Sequence, residues 1–231
     1  MFTLSVRTWH FKRKYSEDKK MDKNLLQLYA VTDRQWLREG QSLAEVVEAA
    51  IKGGVTLVQL REKAMGDDEF VQEAFEVKKV TDAYGIPLII NDNLKVCQAC
   101  DAAGVHVGQE DLCAEKARAL LGPDKIIGVT AKTVEQAREA VRQGADYLGS
   151  GAMFGSSTKT EARSMTLEEF QAIRQAVSVP IVLIGGIDAE NICELKGSGA
   201  QGAAVVSGIF AQPDVEAAAR KLKKLSLEVF P

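Results

Sequence analysis

Short apolar segments recur along the chain from residue 27 onward, and polar residues bound each of them. Eight of these segments are four to six residues long and apolar at almost every position: 27–32, 55–60, 87–90, 104–107, 125–129, 145–149, 180–184 and 203–206. Strands that are covered on both faces of a parallel sheet show this pattern, whereas half-exposed strands alternate apolar and polar residues. The eight segments are therefore predicted to be buried parallel strands.

Amphipathic segments lie between the predicted strands. Between residues 43 and 51, apolar residues recur three or four positions apart, as on one face of a helix. Three segments begin with Ser or Thr followed three residues later by Glu or Gln, the pattern of a capping box: Ser42/Glu45, Thr133/Gln136 and Thr166/Glu169. Further helices are predicted over residues 68–85, 94–100, 114–121 and 215–225.

The order of strand and helix repeats through the chain, which predicts a parallel sheet covered by helices. Eight repeats in about 200 residues fit an α/β fold of the (β/α)8 TIM barrel type, as a single domain. An open, doubly wound sheet is the alternative, but no GxGxxG motif follows the first predicted strand. We therefore predict a catalytic barrel over residues 24–231, preceded by a disordered N-terminal extension over residues 1–23.

Charge is distributed unevenly along the chain. The net charge is −3, and residues 1–23 hold seven basic and three acidic residues, so this region carries +4 and the remainder −7. An acidic body argues against nucleic acid as a partner, because binding a phosphate backbone needs clustered Lys and Arg. No apolar run approaches the ~20 residues that span a bilayer, and no secretory signal is evident. We expect a cytoplasmic protein without a membrane partner; the oligomeric state stays open.

The four cysteines show no disulfide framework. Cys97 and Cys100 form a CxxC pair, which can indicate redox or zinc chemistry, but no second pair accompanies it. The segment 95–100 fits a helix with both thiols on its inner face. We expect both cysteines to be buried as small apolar residues.

In a TIM barrel, the residues that carry chemistry lie at the carboxyl ends of the strands. The second strand ends in the sequence QLREK, residues 59–63, and strand alternation places Gln59 and Arg61 on the face opposite Val58 and Leu60. Several long polar side chains at one strand end predict an anionic ligand, although a solvated loop would also explain them. Together with Lys159, they predict one anion site.

The ends of the seventh and eighth strands predict a second anion site. Gly185 and Gly186 end one of these strands, and Ser207 and Gly208 end the other. Backbone N–H groups at these two ends commonly hold a phosphate in such barrels, and glycine lets the anion approach the backbone. Tight packing of strands against helices is the alternative explanation for the glycines.

Two carboxylates predict a magnesium site. Asp92 and Asp111 end the third and fourth strands, which are neighbours in a barrel. Mg²⁺ is typically held by one or two carboxylates together with water and substrate phosphates. Helix capping would explain either aspartate alone. No nucleophile–base set is evident, and His106 is interpreted as a packed or hydrogen-bonded core residue; charge stabilisation of a leaving group needs no such base.

These strand-end motifs resemble those of the thiamine-phosphate synthase family over about residues 28–225. The motifs are YAVTD (29–33), VQLREK (58–63), IND (90–92), GVHVGQED (104–111), STK (157–159), IGGI (184–187) and VVSGI (205–209). The resemblance implies a Mg²⁺-dependent transferase acting on small phosphorylated substrates. In the family, diphosphate leaves hydroxymethylpyrimidine diphosphate first, and the nitrogen of a thiazole phosphate, carboxylated or not, then attacks the pyrimidine carbocation.

The resemblance also implies roles for the matching residues. The pyrimidine diphosphate would contact Gln59, Leu60, Arg61, Glu62, Lys63, Asn91, Thr130 and Lys159. The thiazole phosphate would contact Ser156, Ser157, Thr158, Gly186, Val206 and Ser207. Asp92 and Asp111 would hold Mg²⁺, and the catalytic residues would be Arg61, Lys63, Thr130 and Lys159. The family usually has serine where Thr130 stands, and proline-threonine where this chain has Gly155-Ser156.

Two other functions stay open at this point. A related thiazole tautomerase shares the barrel and the thiazole phosphate site, but an isomerase has no evident use for the diphosphate-binding residues. A non-catalytic protein that binds thiamine precursors would tolerate the loss of those residues, yet the sequence retains them. Release of pyrophosphate in the presence of both substrates distinguishes the synthase from either alternative.

Overall fold

The computed structural model describes residues 21–109, 114–155 and 164–230. Eight parallel strands form a closed barrel in which each strand pairs with the next along the chain and the last pairs with the first. The strands are β1 (Leu28–Val31), β2 (Leu57–Leu60), β3 (Leu88–Asn91), β4 (Gly104–Val107), β5 (Ile126–Thr130), β6 (Tyr147–Gly151), β7 (Ile181–Ile184) and β8 (Gly202–Val205). The predicted (β/α)8 barrel is confirmed, and every strand bound lies within two residues of its predicted position.

Helices surround the barrel. They are α1 (Leu43–Lys52), α2 (Asp67–Tyr84), α3 (Leu94–Ala99), α4 (Ala114–Leu121), α5 (Val134–Arg142), α6 (Leu167–Ala176), α7 (Ser207–Phe210) and α8 (Val215–Val229). In the described part of the chain, short 3₁₀ helices cover Lys23–Leu26, Arg34–Trp36 and Ile192–Leu195. Within the described ranges, none of these helices combines the length and apolarity needed to cross a bilayer.

Two of the three predicted capping boxes form completely, at Ser42 and at Thr166. The third is half formed. Thr133 accepts a hydrogen bond from the backbone N–H of Gln136, as predicted, at 3.2 Å. The Gln136 side chain, however, accepts from the backbone N–H of Lys132 at 2.7 Å, one residue before the cap. The prediction of a reciprocal box at this helix was therefore wrong in its second half.

The connection between β7 and β8 departs from the predicted alternation, because it holds a 3₁₀ helix of four residues in place of an α-helix. The Asp188 carboxylate accepts hydrogen bonds from the backbone of Glu190 and Asn191, at 2.8 and 3.2 Å, and forms a turn before this helix. Gly197 and Gly199 follow it with positive φ angles. Turns therefore bound this 3₁₀ helix on both sides.

Alternate residues of each strand face the barrel interior, and the others face the helices. In β2, Val58 and Leu60 join the outer core beneath the helices, whereas Leu57 joins the inner core. Gln59 donates a hydrogen bond to the Tyr29 hydroxyl inside the barrel at 2.6 Å. The alternation predicted for the end of this strand is therefore confirmed.

Residues 21–26 pack against the amino-terminal end of the barrel. Met21 is 7% exposed and Leu26 is fully buried, and both join the inner core. The packed chain therefore includes Met21, ahead of the boundary predicted at residue 24. The first twenty residues of the predicted extension lie outside the described part of the chain.

Cys97 and Cys100 are buried, as predicted, and neither is in a disulfide. Burial raises the pKa of the Cys97 thiol to about 12 and raises that of Cys100 in the same direction. The thiolate is the reactive form, so a higher pKa lowers reactivity at a given pH. The third described cysteine, Cys193, is exposed.

Brief alkylation of the native protein with iodoacetamide at pH 8 is expected to label Cys193 at least about 100-fold faster than Cys97 or Cys100, since burial restricts both access and ionisation. Peptide mass spectrometry after a time course measures the three rates. In denaturant, the same three thiols are expected to react at similar rates. Rapid labelling of Cys97 in the native protein would contradict the buried position.

Candidate active site

A cavity of about 160 Å³ lies at the carboxyl ends of the barrel strands. Its polar lining consists of Tyr29, Gln59, Arg61, Asn91, His106, Thr130, Lys132 and Ser207. Glycines and apolar side chains complete the wall, including Gly149, Gly151, Val182, Ile184, Gly185, Gly186 and Val206. A mainly apolar cavity with a few convergent polar groups is the usual form of a small-molecule site.

The end of β1 positions Arg61 at this cavity. Thr32 is fully buried, and its hydroxyl accepts a hydrogen bond from the Arg61 backbone N–H at 3.0 Å. The Thr32 backbone N–H in turn donates to the Gln59 carbonyl at 2.9 Å. The Arg61 guanidinium lies 4.0 Å from the Asp33 carboxylate, with about a fifth of its side chain exposed. Its charge therefore faces the cavity from a fixed backbone.

Lys63, Asn91 and Asp92 form a polar cluster beside the cavity, at the ends of β2 and β3. The Lys63 ammonium lies 3.2 Å from Oδ2 of Asp92, and the Asn91 amide donates a hydrogen bond to the same oxygen. The backbone N–H of Asp92 donates to the His106 carbonyl at 2.9 Å, and the φ angle of Asp92 is 61°. Asp92 is thus held in a left-handed conformation that few residue types other than glycine adopt.

Asp92 does not cap the following helix. The N-cap of α3 is Asn93, whose side chain accepts from the backbone N–H of Val96 at 3.0 Å. Capping, the alternative explanation for a carboxylate at this strand end, therefore does not apply to Asp92. Its carboxylate stays directed at polar and cationic groups.

The surroundings of Asp92 fit a magnesium site of the predicted kind. Its carboxylate is a hard oxygen donor at the edge of the cavity, and it already pairs with a cation, the Lys63 ammonium. Magnesium sites often use one or two carboxylates and take their other ligands from water and substrate. Within the described ranges, no three His, Cys, Asp or Glu side chains gather as a metal cluster. The second predicted ligand, Asp111, lies outside those ranges.

Leu60 and Glu62 point away from the cavity. Leu60 is fully buried in the outer core. The Glu62 carboxylate accepts two hydrogen bonds from Nε of Arg34, at 3.1 and 2.9 Å, and Arg34 also pairs with Glu73 at 2.8 Å. Burial raises the pKa of Glu62, while Arg34 acts in the opposite direction. Glu62 therefore joins β2 to the loop after β1.

Gly185 and Gly186 permit a close approach between the β7 end and the β6–α6 loop. Both have positive φ angles, 100° and 65°. A Cβ at Gly185 would lie 2.5 Å from Cα of Ala152, and one at Gly186 would lie 2.8 Å from the Phe154 carbonyl oxygen. Packing against this loop is thus sufficient to require glycine. Gly186 also lines the cavity, so its backbone is accessible to a ligand.

A chain of hydrogen bonds between side chains crosses the interior of the barrel below the cavity. Gln59 donates to the Tyr29 hydroxyl at 2.6 Å, and the hydroxyls of Tyr29 and Tyr147 are 2.8 Å apart. The Tyr147 hydroxyl lies 3.0 Å from Nδ1 of His106, and Nε2 of His106 lies 3.0 Å from the Thr130 hydroxyl. Burial raises the pKa of both tyrosines above the ordinary value, so both hydroxyls stay neutral.

Tyr29, Tyr147 and Lys132 belong to the site although no sequence pattern predicted them there, and His106 was predicted to be a core residue. His106 is indeed hydrogen-bonded and partly buried, but it also lines the cavity. Its inward position follows from the alternation of β4, which was the available signal. The tyrosines lie in segments dominated by apolar residues, which predict buried strands and not a polar site.

Comparison with known proteins identifies the relatives of this chain. The family model for thiamine monophosphate synthase matches residues 28–209. The chain belongs to the thiamine monophosphate synthase family. A thiamine-phosphate synthase from Ruminiclostridium cellulolyticum is 51% identical over 203 residues, covering 88% of this chain and 94% of that protein.

Two further relatives also match most of the chain. Thiamine-phosphate synthase 2 of Streptococcus pneumoniae is 48% identical over 206 residues, covering 89% of this chain and 98% of that protein. The solved structure of thiamine phosphate pyrophosphorylase from Pyrococcus furiosus superposes with a TM-score of 0.83 at 35% identity, covering 90% of this chain and 99% of that chain. Thiamine monophosphate synthase family membership therefore extends over nearly the whole barrel.

The residues predicted from resemblance to the thiamine monophosphate synthase family fall into four groups. Leu60 and Glu62 point away from the cavity. Gathered around the cavity are Gln59, Arg61, Asn91, Thr130, Gly186, Val206 and Ser207. Beside it are Lys63 and Asp92, which pair with each other. Outside the described residues are Asp111, Ser156, Ser157, Thr158 and Lys159. The roles assigned to all of these residues stay predictions.

Proposed function

We propose that the chain is a transferase that joins a pyrimidine diphosphate to a thiazole phosphate, giving thiamine phosphate and pyrophosphate. The observation that carries this proposal is a set of charged strand-end residues, Arg61, Lys63 and Asp92, at the barrel cavity of a thiamine monophosphate synthase family member. An isomerase that acts on thiazole phosphate alone has no evident use for these charges. The transferase therefore explains more of the site.

Arg61 and Lys63 support the departure of diphosphate. The bond that breaks joins the pyrimidine methylene carbon to a diphosphate oxygen, and the electron pair leaves with that oxygen. Negative charge grows on the leaving group, where the two cations stabilise it. More than half of the Lys63 side chain is exposed, so its ammonium can turn from Asp92 toward a bound diphosphate. Lys159 is proposed to act on the same group.

Asp92, together with Asp111, is proposed to hold Mg²⁺. When bound there, Mg²⁺ supplies a Lewis acid that neutralises charge on the diphosphate oxygens. The left-handed backbone of Asp92 and the hydrogen bond from Asn91 orient its carboxylate at the end of β3. Asp92 also holds Lys63 near the same place, so the carboxylate organises two positive charges.

The pyrimidine ring is proposed to bind among Gln59, Asn91 and Thr130, whose side chains all line the cavity. Leu60 can contribute only through its backbone, because its side chain lies in the outer core. The Glu62 carboxylate pairs with Arg34, away from the cavity. Apolar surface from Val182 and Ile184 covers the opposite side of the cavity.

The thiazole phosphate is proposed to lie against the ends of β7 and β8. Gly186, Val206 and Ser207 line the cavity there, and the hydroxyls of residues 156–158 are proposed to add oxygen contacts. The lone pair of the thiazole nitrogen then forms the new bond to the pyrimidine methylene carbon, which carries the positive charge. No side-chain base is needed, because the thiazole nitrogen gives up no proton in this step.

The proposal is tested by measuring pyrophosphate release from the purified protein with Mg²⁺. Rapid release is expected only when pyrimidine diphosphate and thiazole phosphate are supplied together. Omission of either substrate, or addition of EDTA, is expected to abolish it. Binding of thiazole phosphate without any pyrophosphate release would contradict the transferase and favour an isomerase or a binding protein.

A further inference from the structure

Five side chains from five strands form one continuous hydrogen-bonded chain: Gln59, Tyr29, Tyr147, His106 and Thr130. Its two ends, Gln59 and Thr130, line the cavity, while Tyr29 and Tyr147 are 1% and 0% exposed. Each hydroxyl or imidazole in such a chain donates on one side and accepts on the other. A change at one end therefore has consequences at the other.

The barrel interior is shaped around this chain. A Cβ added at Gly128 would overlap the ring of Tyr147 and lie 2.5 Å from Nδ1 of His106. A Cβ at Gly149 would lie 3.1 Å from Cε1 of His106. Two glycines at inward positions of β5 and β6 thus leave the space that the histidine and tyrosine rings occupy. Residues with a side chain at these positions would displace the rings.

The amide nitrogen of Gln59 faces the Tyr29 hydroxyl, and this placement implies one direction for the whole chain. The nitrogen donates to Tyr29, so the hydrogen of the Tyr29 hydroxyl is available to Tyr147. Tyr147 then donates to Nδ1 of His106, which leaves the imidazole proton on Nε2, where it is donated to Thr130. Buried hydroxyls rarely leave a hydrogen unused, which favours this single direction. The Thr130 hydroxyl keeps its own hydrogen for the cavity.

We infer that His106, Tyr29 and Tyr147 are positioning residues. They couple the hydrogen-bonding role of the Gln59 amide, as donor or acceptor, to that of the Thr130 hydroxyl. In this direction the amide oxygen of Gln59 is left as an acceptor, and the hydroxyl of Thr130 is a donor. The pyrimidine half of thiamine carries an amino donor beside a ring-nitrogen acceptor, which matches this pair. An oxo-pyrimidine presents the opposite pattern. The ligand assignment rests on the proposed function, whereas the direction of the chain does not.

The direction can be measured without substrate. The chain has only two histidines, His10 and His106, so ¹⁵N-histidine labelling in a His10→Gln background gives one imidazole to assign. The wild-type imidazole is expected to carry its proton on Nε2. Gln59→Glu supplies only an acceptor to Tyr29, which reverses every hydrogen bond, so the proton is expected to move to Nδ1. A tautomer on Nδ1 in the wild type, or no change in Gln59→Glu, overturns the inference.

Two variants control for other causes. Gln109→Glu introduces the same charge at the same barrel mouth, but Gln109 donates to the backbone carbonyl of Thr130 and is not a member of the chain. In this variant the His106 imidazole is expected to stay protonated on Nε2. A shift of the proton to Nδ1 would mean that the added charge alone moves it, and this result would overturn the coupling. Tyr29 is hydrogen-bonded to Tyr147, and Tyr147 to His106, so Tyr29→Phe removes a hydrogen bond one step away from the imidazole, yet it is expected to give a mixture of both tautomers. An unchanged Nε2 tautomer in Tyr29→Phe also overturns the inference.

The consequence for specificity is tested by kinetics. Wild-type enzyme is expected to prefer the amino-pyrimidine diphosphate to its oxo analogue, because the wrong donor pattern leaves buried polar groups unpaired. Tyr29→Phe is expected to reduce this preference by about tenfold or more, mainly through KM. An unchanged preference contradicts the coupling. An active enzyme with the wrong tautomer contradicts this inference alone, and the expected tautomer in an inactive protein contradicts the proposed function alone.

Discussion

Replacing Asp92 by asparagine is expected to lower the rate of pyrophosphate release by about 100-fold or more, the usual effect of removing one group that stabilises transition-state charge. The substitution removes the carboxylate that holds Lys63 at 3.2 Å and that is proposed to bind Mg²⁺. Asparagine is among the residues that best tolerate a positive φ angle, and Asp92 has φ of 61°. The backbone is therefore expected to keep its conformation.

Asp101→Asn is the matched control for this variant. Asp101 is the other described non-glycine residue with a positive φ angle, 52°, and it also forms an ion pair with a lysine, Lys125. It lies between α3 and β4, at the end of the barrel opposite the cavity, and 87% of its side chain is exposed. Its activity is expected to stay close to that of the wild type. The test compares the steady-state rates of both variants, and circular dichroism verifies that they are folded. Equal activities would contradict the proposed role of Asp92 in catalysis.

Gly128→Ala is expected to destabilise the fold by about 3 kcal/mol, at the upper end of the usual cost of overpacking a core. The new methyl group would overlap the Tyr147 ring and press on His106. Tyr147 is fully buried, and both rings are hydrogen-bonded, so neither can move without breaking a buried hydrogen bond. The free energy of unfolding, measured by urea denaturation, gives the size of the effect.

The control for steric overlap is Gly66→Ala. Gly66 has a φ angle of −67°, and a Cβ there would have no neighbouring atom within 4 Å. As the N-cap of α2 it is expected to lose no more than about 1 kcal/mol with alanine. If Gly128→Ala is as stable as Gly66→Ala, the barrel interior at position 128 tolerates a larger side chain. The tyrosine–histidine arrangement would then be less constrained than its geometry indicates.

Much of the barrel could be predicted from residue patterns because they reflect local physics. Continuous apolar runs indicate strands buried on both faces, and the alternation in QLREK correctly separated Gln59 from Leu60. Capping residues such as Ser42 and Thr166 marked helix starts to within a residue. The 3₁₀ helix after β7 was harder to foresee, because its turn depends on Asp188 and on nearby glycines acting together.

The details of the site depend on contacts between distant residues, which sequence spacing does not reveal. Glu62 pairs with Arg34, 28 positions away, and the Tyr29 and Tyr147 hydroxyls meet across 118 positions. The need for glycine at Gly185 comes from Ala152, in another loop. Asp92 and Asn93 are adjacent acceptors at the start of α3, and only the structure shows that Asn93 is the cap. Residue type alone could not distinguish these possibilities.

The most direct test of the proposed chemistry is the ratio of products formed by the wild-type protein from both substrates with Mg²⁺. Thiamine phosphate and pyrophosphate, quantified in the same samples over time, are expected to accumulate in equal amounts, and both are expected to stop forming when EDTA is added. Pyrophosphate without thiamine phosphate would identify hydrolysis of the pyrimidine diphosphate in place of transfer. Absence of both products, from folded protein that still binds thiazole phosphate, would contradict the transferase.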